Sequence, residues 1–412
     1  MKRLLSLPLL LFPILLFAQE NQQQDLPPAT QVKAILEQHV NVMTARSGVK
    51  LEQANQRKWN SGNYEFNVRA GSAQRTINAT GQAQRDWDVA IERPLRLPNK
   101  VFIDGDIGDA SVSHAEFVLG DARHEAARLL LHLWFNWQRE QAQASQWQQQ
   151  VEILEQQSLN TDKRMRAGDA PRMELNQALA AVAQARVSLQ QAVTRAQLAA
   201  ADLKRPFPEL VLPESAIFAI PQGVEHDLAY WREMVLSDNH ELGMAQSENR
   251  VQQLLAKRIR ADRVPDPTVG LRYSNEKDGE EKVAGIYVSV PISFGLRSAN
   301  AEIASQHAEM SRQRELALRR RLEGDIYAAH TRAVSNFAIW QQSQQAAKSM
   351  RDNAELMARA YKLGESSLTE VLNARRFSLE SSLADTLAQL DANEARYRLL
   401  LDAHQLWQLE DQ

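Results

Sequence analysis

One stretch limits what this chain can fold into more than any other: Asp266 to Tyr273, continued by Val283 to Pro291. Val269, Leu271 and Tyr273 alternate with Thr268, Gly270 and Arg272. After the polar tip Asn275 to Glu280, Ile286, Val288 and Val290 alternate with Gly285, Tyr287 and Ser289. Alternation at period two on both sides of a glycine-containing polar loop predicts a β-hairpin with one apolar face. Each strand runs for about nine residues, close to what a tilted strand needs to cross a bilayer. Nearly everything else reads as long helix.

A second hairpin is predicted over about 64–94. Tyr64, Phe66 and Val68 alternate with Glu65, Asn67 and Arg69, and Trp87, Val89 and Ile91 with Asp86, Asp88, Ala90 and Glu92. The span Gly71 to Gln82 between them is polar and reads as loop. The later strands end at Pro94 and Pro291, residues that cannot donate to a ladder and suit a strand's exit from a sheet.

Composition narrows the function classes. The net charge of −3 gives no basic field for nucleic acid. Without cysteine there is no disulfide, thiol nucleophile, Cys-based metal site or lipid-anchor cysteine. Met1-Lys2-Arg3, the apolar run Leu4 to Phe17 and then Ala18 have the three parts of a signal peptide, so residues 1–18 are expected to be removed. No later apolar run approaches the roughly 18 residues of a spanning helix. If this chain sits in a membrane, strands must carry it there.

The helices follow a repeated plan. A first helix is predicted over about 31–60, with Val32, Ile35, Leu36, Val40 and Val42 on its apolar side. A long helix runs from near Lys100 past Gln157. It contains the cluster Leu129 to Trp137, within which His132 is expected to be a core histidine. It breaks at Arg166-Ala167-Gly168-Asp169-Ala170-Pro171, glycine suiting the left-handed residue after a helix and proline the next first turn. A helix from about Arg172 to Leu203 carries Leu175, Leu179, Val182, Leu189 and Val193 at coiled-coil-like spacing. Four prolines between Pro206 and Pro221 mark a joint. A helix over about 226–261, the later hairpin, a helix from about Ser298 to Tyr361, a break at Lys362-Leu363-Gly364-Glu365 and a last helix to about Leu409 then repeat the order. The prolines are 291 − 94 = 197 residues apart and the glycines 364 − 168 = 196. A hairpin marker and a helix-turn marker sharing one spacing imply internal duplication: a first repeat over 19–205, a joint over 206–225 and a second repeat over 226–412.

The fold class expected is mainly α with two β-hairpins, as a long α-helical barrel plus a shared transmembrane β-barrel. Four amphipathic strands cannot close a barrel alone, since transmembrane barrels need about eight. An open edge in lipid leaves backbone groups unpaired at several kcal/mol each, so several chains must share one barrel. Trp87, Val89, Ile91, Val269, Leu271, Ile286, Val288 and Val290 are the candidate lipid-facing residues. The helix turns, with Arg166, Gly168, Asp169, Lys362, Gly364 and Glu365, are candidate docking tips. Glu174 and Glu370, 196 residues apart, are candidates for a ring of carboxylates at a narrow entrance. Ser367-Leu368-Thr369-Glu370 also fits a capping box, whereas Pro171 stands at the corresponding place before Glu174.

These residues also carry a resemblance. Arg263-Val264-Pro265-Asp266-Pro267 entering a hairpin, Val290-Pro291-Ile292-Ser293-Phe294-Gly295 leaving it, Asn239-His240-Glu241-Leu242 ahead of it and Tyr361 to Leu372 at the helix turn resemble the TolC family of outer-membrane efflux factors. The short chain is similar to the CzcC-like heavy-metal branch, which implies metal cations as cargo. The resemblance implies a homotrimer with a barrel of about twelve strands in outer-membrane lipid and an α-helical barrel across the periplasm. It also implies docking to a periplasmic adaptor and an inner-membrane pump. No cofactor is expected. The nine histidines include no His-x-x-x-His pair, and no nucleophile grouping or phosphate-cradling loop suggests an enzyme. The competing reading is a secreted coiled-coil scaffold or periplasmic adaptor subunit, which explains the helices but not four strands of lipid-crossing length.

Overall fold

The computed structural model describes residues 25–407, so the expected signal peptide lies outside the described residues. The elements are α1 (Ala29–Gln38), α2 (Val40–Ser61), β1 (Asn67–Thr76), β2 (Ala83–Pro94), α3 (Pro98–Arg166) and α4 (Arg172–Lys204). The same order then recurs as α5 (Leu228–Ser237), α6 (His240–Ala261), β3 (Thr268–Glu276), β4 (Glu281–Ser289), α7 (Leu296–Lys362) and α8 (Leu368–Asp402). At 69 and 67 residues, α3 and α7 are each about 100 Å long at 1.5 Å per residue.

The chain forms two compact units, and each draws on both halves of the sequence. One comprises Met1–His39, Ala126–Arg232 and Ile326–Gln412; the other comprises Val40–Glu125 and Glu233–Asp325.

The second unit holds the sheet, an antiparallel meander in the order β1-β2-β3-β4. Directly paired residues share a face, so the register sorts the side chains. Val68, Ile91, Leu271 and Ile286 form one row across all four strands, and Ala70, Val89, Tyr273 and Ala284 form the next. Asp88, Glu92, Arg272 and Tyr287 lie on the other face. Tyr287 crosses Gly270, where an added Cβ would sit 2.4 Å from its ring, and donates to Glu92 Oε2 at 2.5 Å. The glycine lets a tyrosine on β4 reach a carboxylate on β2.

β1 begins and ends later than the sequence suggested. Tyr64 and Phe66 precede it, and Gly71 to Thr76, expected as loop, pair with Asp88 to Ala83. Backbone pairing with β2 overrides their weak strand propensity, and only Ile77 to Gln82 turns, closed by an Ile77 N–H bond to the Gln82 carbonyl at 2.8 Å. The predicted single helix over 31–60 is two helices. His39 is extended (φ −63°, ψ 134°) and its ring packs 5.4 Å from Phe207. Val40, expected on the apolar side, is exposed as a result. The helix predicted over 226–261 divides the same way at Asn239, whose side chain caps α6 by accepting from the Leu242 N–H at 2.8 Å.

In the other unit the long helices pack through alanine. The buried face of α4 is Ala178, Val182, Ala185, Ala192, Ala196 and Ala199, while Leu179, expected in the seam, is 52% exposed. Alanine lets helix axes approach closely, and the larger leucine rotates outward. Val151 and Leu154 of α3 pack on Val182 and Ala185 of α4. Within the aromatic cluster Leu130, Leu131, Trp134, Phe135 and Trp137 are buried, but His132 is not the core histidine expected: its side chain is 68% exposed and lies 3.2 Å from Glu394. Asp25 is buried here, accepting from Tyr397 Oη at 2.7 Å and Asn393 Nδ2 at 3.1 Å. Burial raises its carboxyl pKa despite those donors.

Candidate functional site

Three places carry the chemistry expected of the chain: one sheet face, the strand-to-helix junction beneath it and the two helix turns.

On the sheet, Trp87, Val89, Ile91, Leu271, Ile286 and Val288 all point to one face and are exposed, Ile286 at 76%. Val269 pairs with Val288 on the same face and is half-buried, and Val290 lies just past the end of β4. Trp87 and Tyr273 pack with ring centroids 5.8 Å apart. β1 and β4 are the outer strands, so among the described residues each has one edge without a partner strand. Exposed apolar side chains on one face and unpaired N–H and C=O groups along two edges both gain from a covering partner.

At the junction, charge replaces apolar contact. Lys100, in the first turn of α3, is 0% exposed, and its Nζ reaches Asp262 Oδ1 at 2.9 Å, Asp266 Oδ1 at 3.0 Å and the Val264 carbonyl at 2.8 Å. Arg258 bonds Asp104 and Asp262, both at 2.5 Å, and Arg96 reaches Asp104 at 3.0 Å. Burial alone raises the Asp262 carboxyl, but hydrogen bonds from Arg258 and Lys100 hold it below its ordinary value. Tyr64 donates to Asp266 Oδ2 at 3.0 Å. These groups lock the exit of β2 to the entry of β3. The sequence alone assigned Lys100, Arg258, Asp104 and Asp262 no role, since Lys100 and Asp262 are far apart in the chain.

The two helix turns are alike. Gly168 has φ +83° and Gly364 φ +81°. In each, the glycine N–H bonds three residues back (to Met165 and Tyr361) and the next N–H five back (to Arg164 and Ala360), which is the Schellman motif. Arg166, Gly168, Asp169, Lys362, Gly364 and Glu365 are all exposed. Glu370 completes a capping box, its Oε2 accepting from the Ser367 N–H at 2.7 Å, and this bond lowers its pKa. Glu174 is half-buried and its Oε2 accepts from Tyr361 Oη at 2.8 Å. Tyr361 lies buried under the Arg164 guanidinium, 4.7 Å above its ring. Among the described residues no group of three or more His, Asp or Glu side chains is placed to hold a metal ion, and no helix is long and apolar enough to cross a membrane.

No protein-family model and no curated protein sequence matches the chain. Solved structures do. The outer membrane channel CmeC of Campylobacter jejuni aligns with a TM-score of 0.74 at 15% identity, covering 93% of this chain and 86% of that one. The outer membrane protein VceC of Vibrio cholerae aligns at 0.73 and 13% identity, covering 91% and 95%. The open state of the MtrE outer membrane channel of Neisseria gonorrhoeae aligns at 0.67 and 15%, covering 93% and 90%. The chain therefore has the fold of the outer-membrane channels, the class that its resemblance to the TolC family implied.

Proposed function

We propose that this chain is an outer-membrane export channel, one of three identical copies that share a barrel of twelve strands, three sets of the four observed. The observation that carries this is the open four-stranded sheet, exposed and apolar on one face, joined to helices about 100 Å long. The sheet meets lipid in the outer membrane and the helices extend through the periplasm. The exposed Schellman turns at Gly168 and Gly364 dock a periplasmic adaptor, through which an inner-membrane pump delivers cargo. The cargo class that the metal-efflux resemblance implies is heavy-metal cations. The two halves derive from one duplicated unit, as the recurring element order supports. Six carboxylates from Glu174 and Glu370 ring the periplasmic entrance and favour cations.

Membrane fractionation tests the central claim. The protein should stay with the outer membrane through a high-salt wash and run as a trimer by mass in detergent. A stable monomer that stays soluble without detergent would overturn it and restore the scaffold reading.

A further inference from the structure

The hairpin registers give a rule for relating the two halves. The pairs Asn67–Glu92 and Thr268–Ser289 superpose when β1 moves by 268 − 67 = 201 positions and β2 by 289 − 92 = 197. Applied at the junction, the rule carries Lys100 onto Arg297 (297 − 100 = 197) and Asp266 onto Glu65 (266 − 65 = 201). Lys100 and Asp266 form the buried ion pair that fastens β2 to β3. Their counterparts stand beside the two outer strands, Arg297 in the first turn of α7 after β4 and Glu65 just before β1.

Both counterparts are incompletely satisfied within the chain. Arg297 donates from Nη1 to the Asp262 carbonyl at 2.7 Å, but its Nε is buried without a hydrogen-bond partner. Glu65 is exposed and has no ion-pair partner among the described residues. A hollow of about 290 Å³ opens beside Arg297, lined by Arg263, Pro265, Pro291, Ile292 and Gly295.

We propose that Arg297 of one copy pairs with Glu65 of the next, fastening β4 to β1 as Lys100 and Asp266 fasten β2 to β3. The proposal rests on the shared-barrel reading and adds its register. The observed pair Ile91–Leu271 maps onto Val288 and Ala70, and Val89–Tyr273 onto Ile286 and Ser72. The parity is an independent check. Ala70 and Ser72 share the face of Val68, and Val288 and Ile286 the face of Leu271, so the apolar rows of β4 and β1 stay on one side of the closed sheet. A slip by one residue would put the carboxylate-bearing face of one strand beside the apolar face of the next.

The absence of cysteine from the chain makes the register directly measurable. Within one copy, residues 70 and 288 lie three strand spacings apart and four residues out of register, more than about 14 Å, too far for a disulfide, which needs Cα atoms within about 7 Å. The Ala70→Cys, Val288→Cys double variant should therefore cross-link between copies on oxidation and give covalent trimers, and Ala70→Cys with Ile286→Cys should not. Glu65→Arg and Arg297→Glu should each weaken the detergent-solubilised trimer roughly tenfold or more, and the two together should restore it. A trimer by mass that cross-links at 70 and 286, or at neither pair, would overturn the register while leaving the channel reading intact. A monomer by mass would overturn both.

Discussion

Tyr361 donates its hydroxyl to Glu174 at 2.8 Å, tying the last turn of α7 to the first turn of α4. Ala178, Leu368 and Val371 pack around the same tyrosine. The two exposed turns are thus one assembly with a hydrogen-bonded pin. Tyr361→Phe keeps the packing and removes the donor, leaving a half-buried carboxylate without this hydrogen bond. The expected cost is about 1.5–3 kcal/mol at the tips, since hydrogen bonds to charged groups lie in that range. Limited trypsin digestion should cut faster at Arg166 and Lys362, and unchanged cleavage would mean that the pin does not hold the turns.

Lys100 at the junction should be far less tolerant. Lys100→Met leaves Asp266 without its buried cation and Asp262 with Arg258 alone, a loss of about 3–5 kcal/mol. The same pair sets a pH dependence. The Asp262 carboxyl sits below its ordinary value, so its contribution is complete above about pH 3.9 and is lost as pH falls through the lower folded value. Thermal unfolding should be flat from pH 5 to 7 on this account and fall below about pH 3.9 in the parent chain. In the Lys100→Met variant the acid loss should shrink. An equal loss in both would place the acid sensitivity elsewhere.

The sheet faces give a matched pair of tests. Ile286→Arg puts a cation on the apolar face, where a midplane arginine costs roughly 2–4 kcal/mol in lipid. Val283→Arg puts it on the face that already carries Arg272 and Asp88, paired with Ser274. The first variant should fail to accumulate in the outer membrane and the second should accumulate normally. Equal accumulation would mean that the apolar face does not meet lipid.

What the sequence made legible was local: period-two alternation for β3 and β4, and a glycine followed by a proline or serine cap for the helix turns. It misread features that depend on partners distant in the chain. β1 extends through Gly71 to Thr76 because β2 offers a ladder there. The helix divides at His39, whose ring packs on Phe207. The seam of α4 runs through alanines, whose small side chains carry no periodic signal of their own. Of the candidate site residues, the turn glycines and Glu370 could be found from spacing and capping rules. The Lys100 cluster and the pairing of Glu174 with Tyr361 required the fold.

The glycine turns offer a test of docking apart from assembly. Among the described residues, nothing beyond the glycine's own chain neighbours lies within 4 Å of a Cβ added at Gly168 or Gly364, so a substitution there meets only the positive φ. Gly364→Val should cost about 1–2 kcal/mol for a left-handed residue and leave the rest of the packing untouched. The variant should assemble in the outer membrane and fail in export. Normal export would argue that the turn geometry plays no part in adaptor binding.

The Glu174 and Glu370 carboxylates can be neutralised without disturbing either structural role. Glutamine serves in a capping box as glutamate does, so Glu370→Gln retains the bond to the Ser367 N–H. In Glu174→Gln the amide oxygen still accepts from Tyr361. The double variant therefore removes six charges from a trimer while keeping the turns intact. If those charges line a narrow entrance, they hold cations at close range and repel anions. Single-channel recordings should show lower cation selectivity and weaker block by divalent ions in the double variant. Unchanged selectivity and block would leave Glu370 as a cap, Glu174 as the acceptor of the tyrosine pin, and the ionic preference of the channel to residues elsewhere along its wall.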